Sequence, residues 1–196
     1  MPARLSFAAI LLCAIAVCGQ CFAQDLNPFG VSAFSATMTS NIPGRGSLSQ
    51  RIYYADGNSR IEMPNGTGYM LLLMPDKTGY MVMAGHCMAT PPMNNLGRNP
   101  FNMRGSVKTQ NVGSTSLNGH PTTITLITVQ DASGKTTTMK AWRAMDLKGF
   151  PLRIEIPNSR GTLTVEYQDV SLTTPPATLF EKPSNCMTMP GLPGAH

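Results

Sequence analysis

The stretch "TGYMLLLMPDKTGYMVMA", residues 67–84, constrains the fold of this chain more than any other. It reads as two strands around a turn at Pro75-Asp76-Lys77-Thr78-Gly79. Successive side chains of a strand point to opposite faces, so a strand with one face in water alternates apolar and polar residues. These two strands do not alternate. Tyr69, Leu71 and Leu73 fall on one face, and Met70, Leu72 and Met74 on the other; Tyr80 and Val82 oppose Met81 and Met83 in the same way. A hairpin that is apolar on both sides needs a partner on both.

The rest of the chain supplies more strands and almost no helix. Amphipathic helical periodicity is nearly absent after residue 25, and strand signals separated by Gly, Asn, Asp and Pro recur roughly every ten residues. "FSATMTSNI" alternates cleanly, with Phe34, Ala36, Met38 and Ile42 on one face. "LSQRIYYADGNSRIEMP" predicts a hairpin turning at Asp56-Gly57-Asn58, since Asp-Gly suits a tight two-residue turn. Further hairpins are predicted around Asp131–Gly134 and Pro157–Gly161. In the strand "TLTVEYQDVSL" the parity changes after Tyr167, which predicts a β-bulge near Gln168-Asp169 and a bent strand. Such bends suit a curved sheet, and the spacing predicts an all-β, antiparallel domain of roughly eight to eleven strands.

Two similar segments stand apart, "RIEMPNGTG" at 60–68 and "RIEIPNSRGT" at 153–162. Each sets Arg and Glu on one strand face with Ile on the other, ahead of a Pro-Asn turn. Common hairpin chemistry and two similar halves of one sheet both account for them. "GHCMATPPMNNLGRNPFNMRG", 85–105, is rich in Pro and Asn and reads as a long connection with a helical turn around Met93–Leu96; long connections in compact domains are often lids.

Residues 1–23 read as a secretory signal peptide: Arg4, an apolar run from Phe7 to Cys18, and a small-residue site ending at Ala23. The run is shorter than the 20 or so residues that span a bilayer. No later segment reads as transmembrane. A lipid-modified cysteine is the rival reading for Cys18 or Cys21, but Val17 and Gln20 precede them where a small residue is expected. The chain is therefore expected to be periplasmic or secreted, with 24–186 as one β domain and 187–196 as a flexible tail. The net charge of +5 is scattered without a basic stripe, which argues against nucleic acid.

Of five cysteines, Cys87 and Cys186 lie beyond the signal peptide, and an oxidising compartment predicts one disulfide between them. No nucleophile elbow, Gly-rich phosphate loop or paired catalytic carboxylates occur, so no enzyme and no cofactor are expected. Soft metal-ligating residues do collect. With Cys87 and Cys186 adjacent, His86, Met88, Met187 and Met189 would surround a Cu(I) ion, since thioethers select that metal when they converge. Methionine is also unbranched and polarizable, which fits it to irregular apolar binding surfaces. A third reading makes the hairpin the centre of a β sandwich, covered by another protein chain.

The order of these segments resembles that of LolA/LolB-like periplasmic lipoprotein carriers and related exported families. The resemblance rests on an early Phe strand ("FSATMTS"), the step from Gly57 and Asn58 to Arg60 and Glu62, and the apolar strand pair in which Asp76 leads to Tyr80. In the second half it rests on "AWRAMDLKGFPLRIEI" and "TPPATLFEKPSNC". The resemblance implies an incomplete barrel, a curved sheet whose concave side holds lipid acyl chains beneath a lid, here the short, Pro-rich segment 89–103. The long N-terminal helix of the carriers has no counterpart, so a general apolar ligand is the expectation. The expected lining is Met70, Leu72, Met74, Met81 and Met83, with the Tyr69, Leu71, Leu73, Tyr80, Val82 set as the alternative. Arg60 matches the motif's arginine; it is either a ligand-binding residue or a surface arginine paired with Glu62. Transient envelope proteins are the expected further partners.

Overall fold

The computed structural model describes residues 29–74, 78–90, 106–130, 134 and 136–188. The signal peptide, most of the lid segment and the tail beyond Thr188 lie outside the described residues, as do Pro75–Lys77 and the helical turn expected at Met93–Leu96.

Six strands form an up-and-down meander: β1 (Ala33–Ile42), β2 (Gly46–Ala55), β3 (Asn58–Glu62), β4 (Gly68–Leu73), β5 (Thr78–Met83) and β6 (His86–Ala89). A second meander contains β7 (Ser106–Leu117), β8 (His120–Gln130), β9 (Thr136–Ala144), β10 (Phe150–Asn158) and β11 (Gly161–Ser171). Antiparallel pairing of β1 with β11 joins the two meanders. A two-residue strand, β12 (Met187–Thr188), pairs in parallel with β6. Among the described residues the result is one 12-stranded sheet, running β12-β6-β5-β4-β3-β2-β1-β11-β10-β9-β8-β7, an all-β incomplete barrel whose end strands β12 and β7 do not pair with each other.

Local chemistry explains the turns. Asp56-Gly57 and Asn118-Gly119 carry φ values of 49°, 88°, 52° and 82°, the left-handed pair that a two-residue hairpin turn needs to match strand twist. The predicted bulge is present. Ser35 faces Ser171 while Thr37 faces Gln168, so β11 spends one residue more than β1 over this step, and Asp169 has φ 49°. The extra residue returns Val170 and Leu172 to the main core.

The described residues form twelve strands, one above the expected range, and β6 and β12 fall where no strand was expected. The sequence places 85–105 in one connection, but His86–Ala89 forms β6. The cause is a tight turn at Ala84-Gly85, with φ 47° and 80°. Alanine rarely adopts that conformation, so its residue type gives no turn signal. Met187 and Thr188, assigned to the tail by the sequence, are held against Met88 and Ala89.

The main core lies on one face of the sheet. Phe34, Ala36 and Met38 of β1 join Ile52 of β2, Val165 and Tyr167 of β11, Ile154 of β10, and Met139 and Ala141 of β9, with Phe29 and Val31 folded over them. Phe34 and Phe150 belong to strands separated by β11, so their backbones are about 9.5 Å apart. Their rings nevertheless meet at 4.7 Å. One core cluster reaches from Ile52 on β2 to Ile127 on β8 on this face, which is taken as the inner, concave side of the incomplete barrel. The two Arg–Glu segments take equivalent places on the convex side. Arg60 pairs with Glu62 at 2.7 Å and Arg153 with Glu155 at 3.0 Å, while Ile61 and Ile154 point inward.

Candidate functional site

The ladder from β2 outward assigns each side of the 67–84 hairpin. Ile52 faces Ile61, Ile61 faces Met70, Met70 faces Met81, Met81 faces Met88, and Met88 faces Met187. Since facing residues share a side, these six form one row across the concave face. The neighbouring row runs Gly68, Met83, His86, and on the other side Leu72 faces Gly79. Gly68 is required there, because a Cβ would collide with the Val82 carbonyl oxygen. Among the described residues, the main core extends along this face only as far as Ile61. Beyond it Met70 is 37% and Met83 43% exposed, and Leu72, Met74, Met81 and Met88 are half-buried.

The opposite side of the same hairpin is closed. Leu71, Tyr80 and Cys87 are buried there, and Tyr69, Leu73, Val82, Ala89, Phe180 and Cys186 pack around them. The closing element is the C-terminal segment, which makes a single turn of tight helix at Ala177–Phe180. Cys87 and Cys186 form the expected disulfide, with Cα atoms 4.5 Å apart and a sequence separation of 99.

The structure therefore groups Met70, Leu72, Met81 and Met83 on the open, concave side, and Met74 follows just past the end of β4. Met74 sits beside the Asp56-Gly57 turn, its backbone N–H donating to Asn58 Oδ1 at 3.1 Å. Arg60 is not with them. It faces Leu71 on the closed side, stacks on the Tyr69 ring at 3.6 Å, and donates from Nε to Glu62 and from Nη1 to the Leu179 carbonyl at 3.4 Å. Its guanidinium fastens the C-terminal segment to β3.

The methionine face offers apolar contact and one imidazole, with no carboxylate at the positions just described. Among the described residues no three His, Cys, Asp or Glu gather as a metal-binding group. His120 Nδ1 and Asp146 Oδ2 lie 2.7 Å apart on the surface, linking the β7–β8 turn to the loop after β9. Inside the main core the Tyr167 hydroxyl is buried and has no hydrogen-bond partner among the described residues, and burial raises its pKa. Tyr54 is raised too, chiefly by burial and further by the Asp56 charge, against a bond to the Gly57 backbone that lowers it. The sequence placed Met88 and Met187 only in the metal set. Their membership of the methionine row depends on pairings with β5 and β12 that no local pattern announces.

A curved, open antiparallel sheet with one face sealed from behind is the class of structure these observations define. No family model matches the chain, and no curated protein matches it. Among solved structures it is similar to LprF from Mycobacterium bovis, at 14% identity and a TM-score of 0.44 over 79% of this chain and 94% of that one. It is also similar to the Mycobacterium tuberculosis lipoprotein LppX, at 12% and 0.45 over 72% and 87%. A LolA superfamily protein from Nitrosomonas europaea is similar at 14% and 0.36 over 77% and 90%. At such identities no residue role is carried across.

Proposed function

We propose that this protein is exported and holds an acyl chain, or an apolar ligand of similar shape, against the concave face of β4 and β5 without altering it chemically. One observation carries the reading: of the two apolar faces of the hairpin, one is closed by Phe180 and the disulfide while the methionine face is left partly exposed. Apolar area withdrawn from water is worth about 25 cal/mol per Å² before the costs of association, and a flexible thioether surface adapts to a chain without fixed shape. A carrier that collects and releases lipid or lipoprotein in the envelope is the role such a face suits.

Mass spectrometry of the gently purified protein should find co-purified lipid, and the delipidated protein should bind a fluorescent fatty-acid probe. Met81→Asp places a charge on the open face and should fold normally but lose the probe, because an unpaired charge beneath a bound apolar chain is strongly unfavourable. Val82→Asp places the same charge on the closed side, facing Cys87, and should disrupt the fold itself. Absence of both lipid and probe binding would end the carrier reading. Unfolding by both substitutions would make both faces core and favour a β sandwich or protein interface.

A further inference from the structure

We infer that the outer end of the methionine face is a binding site for a soft monovalent metal ion, Cu(I), held by thioethers and one imidazole. Met81 faces Met88, Met83 faces His86, and Met88 faces Met187, all on the same side of β5, β6 and β12. Facing residues in an antiparallel ladder have Cβ atoms about 4.5–5.5 Å apart. Rotation about the Cα–Cβ and Cβ–Cγ bonds of each methionine swings its sulfur, so rotamer changes can bring the sulfurs of facing residues toward one ion.

Ligand chemistry decides which ion. Thioether sulfur is soft and neutral and selects Cu(I), whereas Mg²⁺ and Ca²⁺ require several oxygens, and tetrahedral zinc favours thiolate, imidazole and carboxylate together. No carboxylate occupies these ladder positions, which hold methionine and a single histidine. No thiolate competes, since Cys87 and Cys186 are tied to each other. Cys87 belongs to the closed side, where it is buried against Leu71 and Tyr80. The ligand side chains are accessible from solvent at this end: Met187 is 63% exposed, and His86 is exposed as well. A small cation needs only a few converging atoms, while an acyl chain needs area. The site shares Met81 and Met83 with the proposed acyl-binding face, but its ligand set is completed by His86, Met88 and Met187 on β6 and β12.

Silver(I) is the direct probe, because it mimics Cu(I) without a reductant that would open the disulfide. In protein carrying ¹³C-labelled methionine methyl groups, one equivalent of Ag(I) should shift the Met81, Met83, Met88 and Met187 resonances and leave Met145, an exposed methionine elsewhere, unmoved. Anaerobic titration of Cu(I) against a chromophoric chelator should give a stoichiometry of one. Met88→Leu with Met187→Leu preserves apolar volume and removes two sulfurs, so it should weaken metal binding at least tenfold while far-ultraviolet circular dichroism and the disulfide stay unchanged. Met145→Leu should leave affinity as it was. Metal binding that survives loss of Met88 and Met187 in a folded protein, shifts at Met145 equal to those at Met88, or no uptake against the chelator would each overturn the assignment.

Discussion

Replacing Tyr167 with phenylalanine should stabilise this protein. Tyr167 is fully buried, and its ring stands edge-on to Phe150, Phe29 and Phe34 at centroid distances of 5.4, 6.0 and 6.3 Å. Phenylalanine keeps all three contacts. What it removes is a hydroxyl with no hydrogen-bond partner among the described residues, and a buried unsatisfied polar group costs about 1–3 kcal/mol. The expected gain is about 1–2 kcal/mol, leaving room for a small void. For a domain of this size each kcal/mol moves Tm by about 2–4 °C, so a rise of about 2–8 °C is expected. Urea unfolding at pH 7 and scanning calorimetry measure it directly.

The same substitution has a signature at alkaline pH. Burial raises the folded-state pKa of Tyr167 above its unfolded value, which is near 10. Below that value the phenol is protonated in both states and contributes no pH dependence. As pH rises past the unfolded value, the unfolded chain gives up its proton while the folded protein keeps its own, so the native protein loses stability with rising pH. Tyr167→Phe abolishes that loss. Its advantage over the native protein should grow above pH 10 by about 1.4 kcal/mol per pH unit. A variant less stable than the native protein at pH 7 by 1 kcal/mol or more, on the scale of a lost hydrogen bond (about 0.5–1.5 kcal/mol), would refute the reasoning by showing that the hydroxyl is bonded in the folded state.

Other substitutions test the remaining structural claims. Cys87→Ala with Cys186→Ala opens a loop spanning 99 residues; chain entropy sets an upper limit of about 4.7 kcal/mol, and a loss of about 2–4 kcal/mol should appear in denaturant unfolding. Ala84 holds a left-handed φ of 47° on an exposed turn, so Ala84→Asn should raise stability by about 0.5–1 kcal/mol, read as a shift in denaturation midpoint. Gly68→Ala drives a Cβ into the Val82 carbonyl and should cost at least about 2 kcal/mol, as severe backbone conflicts do; hydrogen exchange should show the loss concentrated in β4 and β5.

Much of this architecture is written locally. Pleat parity alone sorted Met70, Leu72, Met81 and Met83 from Tyr69, Leu71, Leu73, Tyr80 and Val82, and the ladder keeps those sets on opposite faces; Met74, sorted with the first set, lies just past the end of the ladder. Asp56-Gly57 announced its turn, the parity break after Tyr167 announced its bulge, and the cysteines past the signal segment announced their bond. These features depend on bonds and turns a few residues long, or on a count of two thiols. Tertiary structure alone decided which apolar face is closed. The hairpin is symmetric in hydrophobicity, and the residues that break the symmetry, Leu179, Phe180 and Cys186, arrive about a hundred residues later in the chain. The same segment claims the Arg60 guanidinium for a structural contact and lays Met187 beside Met88. A side chain's face is set by its own backbone, but what lies over that face is set by whichever distant segment folds against it.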